Sequence, residues 1–217
     1  MSGRGRPQFR DLGPGAARLK SMMIRTMLAW GVAPLLLGSV GATVVATGRP
    51  AVARLQVGDR LPPLTGDLLT GTAATLPDVA EGRIALLALG FTYGSRLQVE
   101  AWAEEFRALF AVQPAVALYE VPMMGSAARL GRWFIDSGMR RGTPPALQRF
   151  VMTVYGNADA WKARVAFDRP DDAYLVLVDG QGVVRWLSCG PVDADRLRGL
   201  ASVVEGLLGQ PPAGPDR

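Results

Sequence analysis

Residues 84–121 read IALLALGFTYGSRLQVEAWAEEFRALFAVQPAVALYEV. The continuous apolar run at 84–89 is typical of a strand that is buried on both faces, as in a parallel sheet. Apolar residues recur with the helical period over 97–110, and residues 116–121 form a second apolar strand. The inward face of this helix is predicted to carry Trp102, Phe106, Leu109 and Phe110. Together these elements predict a right-handed, parallel β-α-β unit.

The C-terminal third predicts an antiparallel hairpin and a final helix. Residues 174–178 and 183–187 are apolar, and the glycines between them accept the positive φ of a tight turn. The last helix opens at Pro191 or Asp193 and is capped by Gly209. Its predicted inward residues are Leu197, Leu200, Val204 and Leu207.

The remaining segments complete the predicted fold. Residues 49–82 contain turn signals for a short hairpin, and residues 126–138 predict a second helix. The apolar stripe of that helix consists of Ala127, Leu130, Trp133 and Phe134. Residues 139–172 predict only a loop, an extended or helical piece and a further turn. This order of elements predicts an α/β fold of the thioredoxin-like class, a mixed sheet flanked by helices.

The positive charge of the chain is concentrated near its start. Residues 1–25 hold six basic side chains and one acid, and the rest of the chain holds 18 of each. The sequence pI near 10.0 therefore reflects this short segment. A neutral body gives no indication of nucleic-acid binding.

An uncharged, apolar segment of 23 residues follows at 26–48. This is long enough to span a bilayer, and the basic flank predicts that residues 1–25 stay in the cytoplasm. We expect an uncleaved transmembrane or signal anchor, a thioredoxin-like domain at 49–208 and a flexible tail at 209–217. The domain would then lie on the periplasmic side of the membrane. The alternatives are a signal cleaved near 44–46 and a transit sequence leading to the mitochondrial inner membrane.

The composition excludes several classes of enzyme. The chain has no histidine and one cysteine, Cys189. A Ser-His-Asp triad, a Cys-His dyad, a histidine zinc site and a two-cysteine redox centre are all excluded.

The turn between the first strand and helix lacks the thiols that such a position often carries. It reads Gly90-Phe-Thr-Tyr-Gly-Ser-Arg-Leu-Gln98 and is similar to the F-T-x-C-P-x-x-C turn of copper chaperones and thiol reductases. In that register, Gly94 and Gln98 occupy the two cysteine positions. In a peroxiredoxin register, Ser95 replaces the cysteine. Since no histidine is present to activate a hydroxyl, we interpret Ser95 as a helix N-cap.

Residues 174–191 carry a more specific resemblance. They read YLVLVDGQGVVRWLSCGP and resemble the G-Y-x-x-L-V-D-x-x-G-x-I-R-W-x-x-x-G-x-A block of the ATP synthase assembly factor 10 family. The segments 91–102 and 119–123 are also similar to that family. The matching positions in the block are Tyr174, Leu177, Val178, Asp179, Gly182, Val184, Arg185, Trp186 and Gly190. The resemblance covers roughly residues 55–205. It implies a membrane-associated thioredoxin-like protein that assists assembly of the membrane sector of the ATP synthase, and it supplies no catalytic motif.

The first hypothesis is therefore a non-catalytic, membrane-tethered assembly factor or chaperone that docks a protein client. A concave surface at the helix N-terminus would hold the client, and no catalytic residue, cofactor, metal or nucleic acid is expected. The predicted partner-binding residues are Tyr93, Gly94, Ser95, Arg96, Arg185, Trp186 and Gly190. Trp186 is equally well explained as a core residue. The basic set Arg129, Arg132, Arg140 and Arg141 is a solvated helix face or a contact for anionic lipid or an acidic partner.

Two alternatives remain open. Cys189 could serve a thiol-dependent redox enzyme of the peroxiredoxin or reductase type, although burial as a small apolar residue explains it more simply. A copper carrier would need Cys189 and methionines such as the adjacent pair Met123 and Met124, or Met22, Met23 and Met27 in the leader.

Overall fold

The computed structural model describes residues 52–209, whose strands form one seven-stranded mixed sheet. The strands in chain order are β1 (Leu64–Leu68), β2 (Ala73–Leu76), β3 (Ile84–Gly90), β4 (Val116–Met124), β5 (Met152–Tyr155), β6 (Tyr174–Val178) and β7 (Val184–Cys189). The α-helices are α1 (Arg96–Phe110), α2 (Arg132–Gly142), α3 (Ala158–Arg164) and α4 (Ala194–Leu208), and 3-10 turns cover Asp78–Ala80, Ser126–Gly131 and Pro145–Phe150. Across the sheet the strands run in the order β2-β1-β5-β4-β3-β6-β7.

The predictions for residues 1–25, for the anchor at 26–48 and for the tail beyond Gly209 lie outside the described residues. Among residues 52–209, none of the helices combines the length and apolar character that crossing a bilayer requires.

The predicted β-α-β unit and C-terminal hairpin are confirmed. All seven residues of β3 are buried, as expected for a strand with a helical layer on each side. β3 pairs with β4 in parallel and with β6 in antiparallel, and β6 pairs with β7 in antiparallel. The Asp179 side chain accepts hydrogen bonds from the backbone of Gln181 and Val183, which closes the hairpin turn.

Two apolar clusters cover the two faces of the sheet. On one face, α1 and α4 contribute Trp102, Phe106, Leu200 and Val204, all of them buried. On the other face, Trp161 of α3 joins the side chains of the sheet. The N-cap of α4 is Asp193, which accepts a hydrogen bond from the backbone N–H of Arg196. The prediction that Leu109 faces inward is wrong, because its side chain is 47% exposed.

The N-terminal hairpin, β1 with β2, is confirmed within the segment predicted for it. β1 also pairs with β5, a strand that the sequence left undefined within 139–172. Gly66 allows this pairing, because a Cβ at that position would lie 2.6 Å from the carbonyl oxygen of Thr153. The hairpin thereby extends the sheet beyond the predicted β-α-β unit.

The prediction for the second helix is wrong in its bounds and in its orientation. The chain forms a 3-10 turn and then α2, and the predicted apolar stripe points outward. The exposed fractions are 99% for Leu130, 77% for Trp133 and 71% for Phe134. Ala127 is exposed as well.

Polar contacts explain why α2 faces this way. Asp136 is 5% exposed and accepts a 2.7 Å hydrogen bond from the hydroxyl of Tyr155 on β5. Arg140 Nε donates to the carbonyl oxygen of Leu69 at 2.7 Å. The helix is therefore held to the sheet by its polar side, and its apolar pattern does not mark the buried side.

Candidate functional site

The predicted site lies at the junction of β3 and α1, where residues 91–95 turn from the sheet into the helix. The first backbone N–H groups of α1 open toward this turn, since the N-terminus of a helix leaves them without intrahelical partners. The turn therefore lies at the position that thiol chemistry uses in this fold class, although the turn itself contains no thiol.

Ser95 is tied into the turn rather than presented on the surface. Its side chain is fully buried, at 0% exposure. Its hydroxyl donates to the carbonyl oxygen of Thr92 at 2.8 Å and accepts from the backbone N–H of Thr92 at 3.2 Å. It occupies the N-cap position of α1, but it makes no side-chain capping hydrogen bond, so that part of the N-cap interpretation is wrong. A partner that approaches the turn in this conformation does not reach the Ser95 hydroxyl.

The loop before β6 closes the position of the first missing cysteine. The hydroxyl of Thr92 lies 2.9 Å from the carbonyl oxygen of Pro170 and 2.9 Å from Oδ1 of Asp171. A Cβ added at Gly94 would overlap the carboxylate of Asp171. A cysteine side chain at residue 94 therefore has no room unless Asp171 moves.

The position of the second missing cysteine is occupied by Gln98, which is partly buried and bonded to an acidic residue. Nε2 of Gln98 donates to Oδ1 of Asp172 at 3.4 Å, and Asp172 is 8% exposed. Oε1 of Gln98 and Oδ2 of Asp172 have no hydrogen-bond partner, although Nη1 of Arg169 lies 3.6 Å from that Oδ2. Each of the two cysteine positions therefore lies against an acidic residue of the loop that precedes β6.

An apolar groove of about 560 Å³ opens beside the turn. It lies between the turn with the start of α1, the end of β4, and α2. Its apolar lining residues are Phe91, Val99, Pro122, Met123, Met124, Ile135, Met139 and Val151. Tyr93 stands at the rim with 86% of its surface exposed. Such a groove accommodates a few apolar side chains of a bound chain.

Two polar contacts lie at or near the elements that form the groove. Arg96 pairs with Glu100 one turn further along α1 at 2.6 Å, and this hydrogen bond raises the pKa of Arg96. Burial, and then the hydrogen bond to Asp136, raises the pKa of Tyr155 well above its usual range. The phenol therefore stays protonated and remains the donor that fixes α2 to β5.

The predicted site residues fall into two separate places. Tyr93 and Arg96 lie at the groove, and Gly94 lies at the turn beneath Asp171. The three predicted residues of the C-terminal block, Arg185, Trp186 and Gly190, are absent from the groove lining.

Each residue of that block has a structural partner. Arg185 bonds Asp179 at 2.6 Å, which supports the hairpin turn. The half-buried Trp186 packs edge-on against Trp102 with ring centroids 6.2 Å apart. The carbonyl oxygen of Gly190 accepts the indole N–H of Trp102 at 2.9 Å. These contacts favour the core explanation of Trp186.

Cys189 is absent from the groove lining, whereas the adjacent methionines Met123 and Met124 are part of it. Cys189 is half-buried against the cluster on the α3 face and lies opposite Tyr174 in the sheet register. Met123 belongs to that same cluster, and both Met123 and Met124 line the groove. The leader methionines lie outside the described residues.

Sequence reasoning missed two parts of the site. Ile135 and Met139 bring α2 into the groove wall, and their spacing of four residues on one helix face is the signal that was available. The acidic residues Asp171 and Asp172 had no such signal, because they lie more than 70 residues from the turn they contact.

The comparisons with known proteins agree with this geometry. The profile of a family described as "ATP10 protein" matches residues 50–207. No curated protein matches the chain significantly.

Solved structures support the thioredoxin-like fold. A protein assigned as a thiol:disulfide interchange protein DsbE from Chlorobium tepidum is 20% identical, with a TM-score of 0.52, over 71% of this chain and 99% of that one. A protein assigned as a disulfide isomerase from Bacteroides thetaiotaomicron is 16% identical, with a TM-score of 0.50, over 72% and 92% of the two chains. At these identities the likeness concerns the fold alone, a mixed sheet flanked by helices.

Proposed function

Because this chain belongs to the ATP10 protein family, we propose that it is a non-catalytic assembly factor that docks subunits of the ATP synthase during their assembly. The observation that carries the proposal is the state of the β3–α1 turn. Both cysteine positions lack a thiol, acidic side chains fill the space, and an apolar groove stays open beside them.

The turn has no thiol that could begin thiol–disulfide exchange. Exchange begins with attack by a thiolate, and the N-terminus of a helix favours the thiolate when a cysteine stands there. Here Gly94 and Gln98 stand at those positions. The redox alternative would depend on Cys189 alone, which is half-buried against the core. Peroxide or insulin reduction that disappears in Cys189→Ser would favour that alternative.

The groove has the chemistry of a site for apolar side chains. Its walls are mostly aliphatic, aromatic and thioether groups, although Arg96, Glu100 and Glu120 also belong to the lining. Methionines adapt their shape to different occupants. Tyr93 offers a large amphipathic ring at the rim, where it can cover a bound segment. Subunits of a membrane sector present such apolar segments before they are assembled.

Tethering to the membrane belongs to the same proposal. The uncharged segment 26–48 would anchor the chain, with the domain on the periplasmic side or, alternatively, at the mitochondrial inner membrane. A tether raises the effective concentration of the groove near membrane-bound clients.

Photo-crosslinking from the groove rim tests the proposal. A photoreactive phenylalanine analogue would replace Tyr93 in the full chain expressed in its own membranes. The same analogue at Val112, beyond the other end of α1, is the matched control, because both side chains are 86% exposed. We expect residue 93 to capture membrane-sector subunits of the ATP synthase, and residue 112 not to do so. Equal capture from both positions, or capture without any ATP synthase subunit, would contradict the proposal.

A further inference from the structure

The outward side of the segment 126–142 carries an apolar patch that the fold leaves uncovered. Leu130, Trp133 and Phe134 are 99%, 77% and 71% exposed, and none of them lines the groove. Single exposed apolar residues are ordinary on a protein surface, but three large ones within five residues mark an interaction surface.

The charged residues within this segment are mostly basic. The segment 126–142 contains Arg129, Arg132, Arg140 and Arg141 and a single acid, Asp136. That acid is buried and accepts the hydrogen bond of Tyr155, so it does not offset the arginines at the surface. Arg132 pairs with Asp67 at 3.3 Å, and Arg140 donates to the carbonyl oxygen of Leu69. Among the described residues, Arg129 and Arg141 form no ion pair.

Going beyond the proposed function, we infer that the outward side of residues 126–142 docks on an anionic membrane surface. Trp133, Phe134 and Leu130 enter the boundary between headgroups and acyl chains, and Arg129 and Arg141 bind lipid phosphates. This is the composition of an interfacial helix, with aromatic and aliphatic residues beside Arg and a polar attachment on the opposite side. The long arginine side chains reach the phosphates while their methylene stems stay beside the apolar patch.

The charge pattern selects lipid over a protein occupant. A purely apolar client segment gains nothing from the unpaired Arg129 and Arg141, whereas each basic residue near an anionic leaflet adds to binding. The two sides of α2 are then used differently. Ile135 and Met139 line the groove, and Trp133 and Phe134 meet the bilayer. This arrangement would hold the groove close to the membrane surface.

Fluorescence quenching by brominated lipids tests the inference. The full chain would be reconstituted in vesicles of phosphatidylcholine and phosphatidylglycerol whose acyl chains are brominated near the headgroups. The difference between the wild type and Trp133→Phe isolates the emission of Trp133, because all other tryptophans are common to both. We expect that emission to be quenched in the mixed vesicles and much less in pure phosphatidylcholine.

The arginines are tested in the same assay. Arg129→Gln combined with Arg141→Gln should lower the docked fraction by roughly an order of magnitude. In the wild type, added salt should also lower the docked fraction. Arg60→Gln combined with Arg198→Gln removes the same charge from exposed positions elsewhere, and it should leave the quenching unchanged. Trp133 emission that escapes quenching in the mixed vesicles would overturn the inference. Equal quenching in both double variants would also overturn it, as would shielding of Trp133 that occurs only when an ATP synthase subunit is added.

Discussion

A double-mutant cycle between Gly94 and Asp171 tests whether the acidic loop closes the cysteine position. The perturbation is one methyl group, Gly94→Ala, made in the wild type and in Asp171→Ala. The added Cβ would overlap the carboxylate of Asp171, so the carboxylate must turn away. Turning away separates it from the hydroxyl of Thr92, which it meets at 2.9 Å.

The expected magnitude follows from that lost contact. Net hydrogen bonds are worth about 0.5–1.5 kcal/mol, with more for bonds to charged groups, and both partners here are exposed. The overlap in the wild type should therefore cost about 1–2 kcal/mol. In the Asp171→Ala background the overlap is absent, and replacing glycine there should stabilise the chain by about 0.4–1 kcal/mol. The two changes should thus couple by about 1–2 kcal/mol.

Urea unfolding of the four full-length proteins in mild detergent, followed by tryptophan emission, measures this coupling. We expect Asp171→Ala to convert Gly94→Ala from a neutral or destabilising change into a stabilising one. Additivity of the two substitutions to within about 0.5 kcal/mol would refute the reasoning, because it would mean that the carboxylate does not stand where a cysteine side chain would.

The other predictions concern the core, the attachment of α2 and the dependence on pH. Trp102→Phe should lower the free energy of unfolding by about 1–3 kcal/mol, because it leaves the carbonyl oxygen of Gly190 without its donor, and urea titration checks this. Asp136→Ala should remove the 2.7 Å acceptor of the Tyr155 hydroxyl, which keeps only its 3.5 Å contact with the carbonyl oxygen of Arg132, and so speed amide hydrogen exchange across 132–142 while exchange in 96–110 stays unchanged. Because burial raises the pKa of Tyr155, the folded chain holds a proton that the unfolded chain releases above about pH 10. The free energy of unfolding should therefore fall as the pH rises through that range, and Tyr155→Phe should flatten the decline; equal slopes in both proteins would contradict the assignment.

The sequence predicts the parts of the fold that depend on local pattern. The apolar run of β3, the helical period of α1 and the turn glycines before β7 each mark their element within the chain itself. The position of the site at the start of α1 follows from the β-α-β unit. These features need no information about distant residues.

The parts that the sequence did not predict depend on contacts across the fold. An amphipathic pattern shows that α2 has two sides, but the buried Asp136 with its Tyr155 partner determines which side meets the sheet. The position of Asp171 over Gly94 joins residues 77 positions apart, and no local pattern encodes it. The same holds for β5, whose four residues were too short to define a strand.

Complementation tests the central claim most directly. The gene would be deleted in the source organism, and the assembled ATP synthase would be measured on native gels after return of the wild type, Cys189→Ser, Tyr93→Asp or Val112→Asp. If the protein docks its client and uses no thiol chemistry, the ATP synthase should assemble fully with Cys189→Ser and with Val112→Asp. Assembly should be lost in the deletion strain and with Tyr93→Asp. Normal assembly in the deletion strain, or loss of assembly with a folded Cys189→Ser, would contradict it.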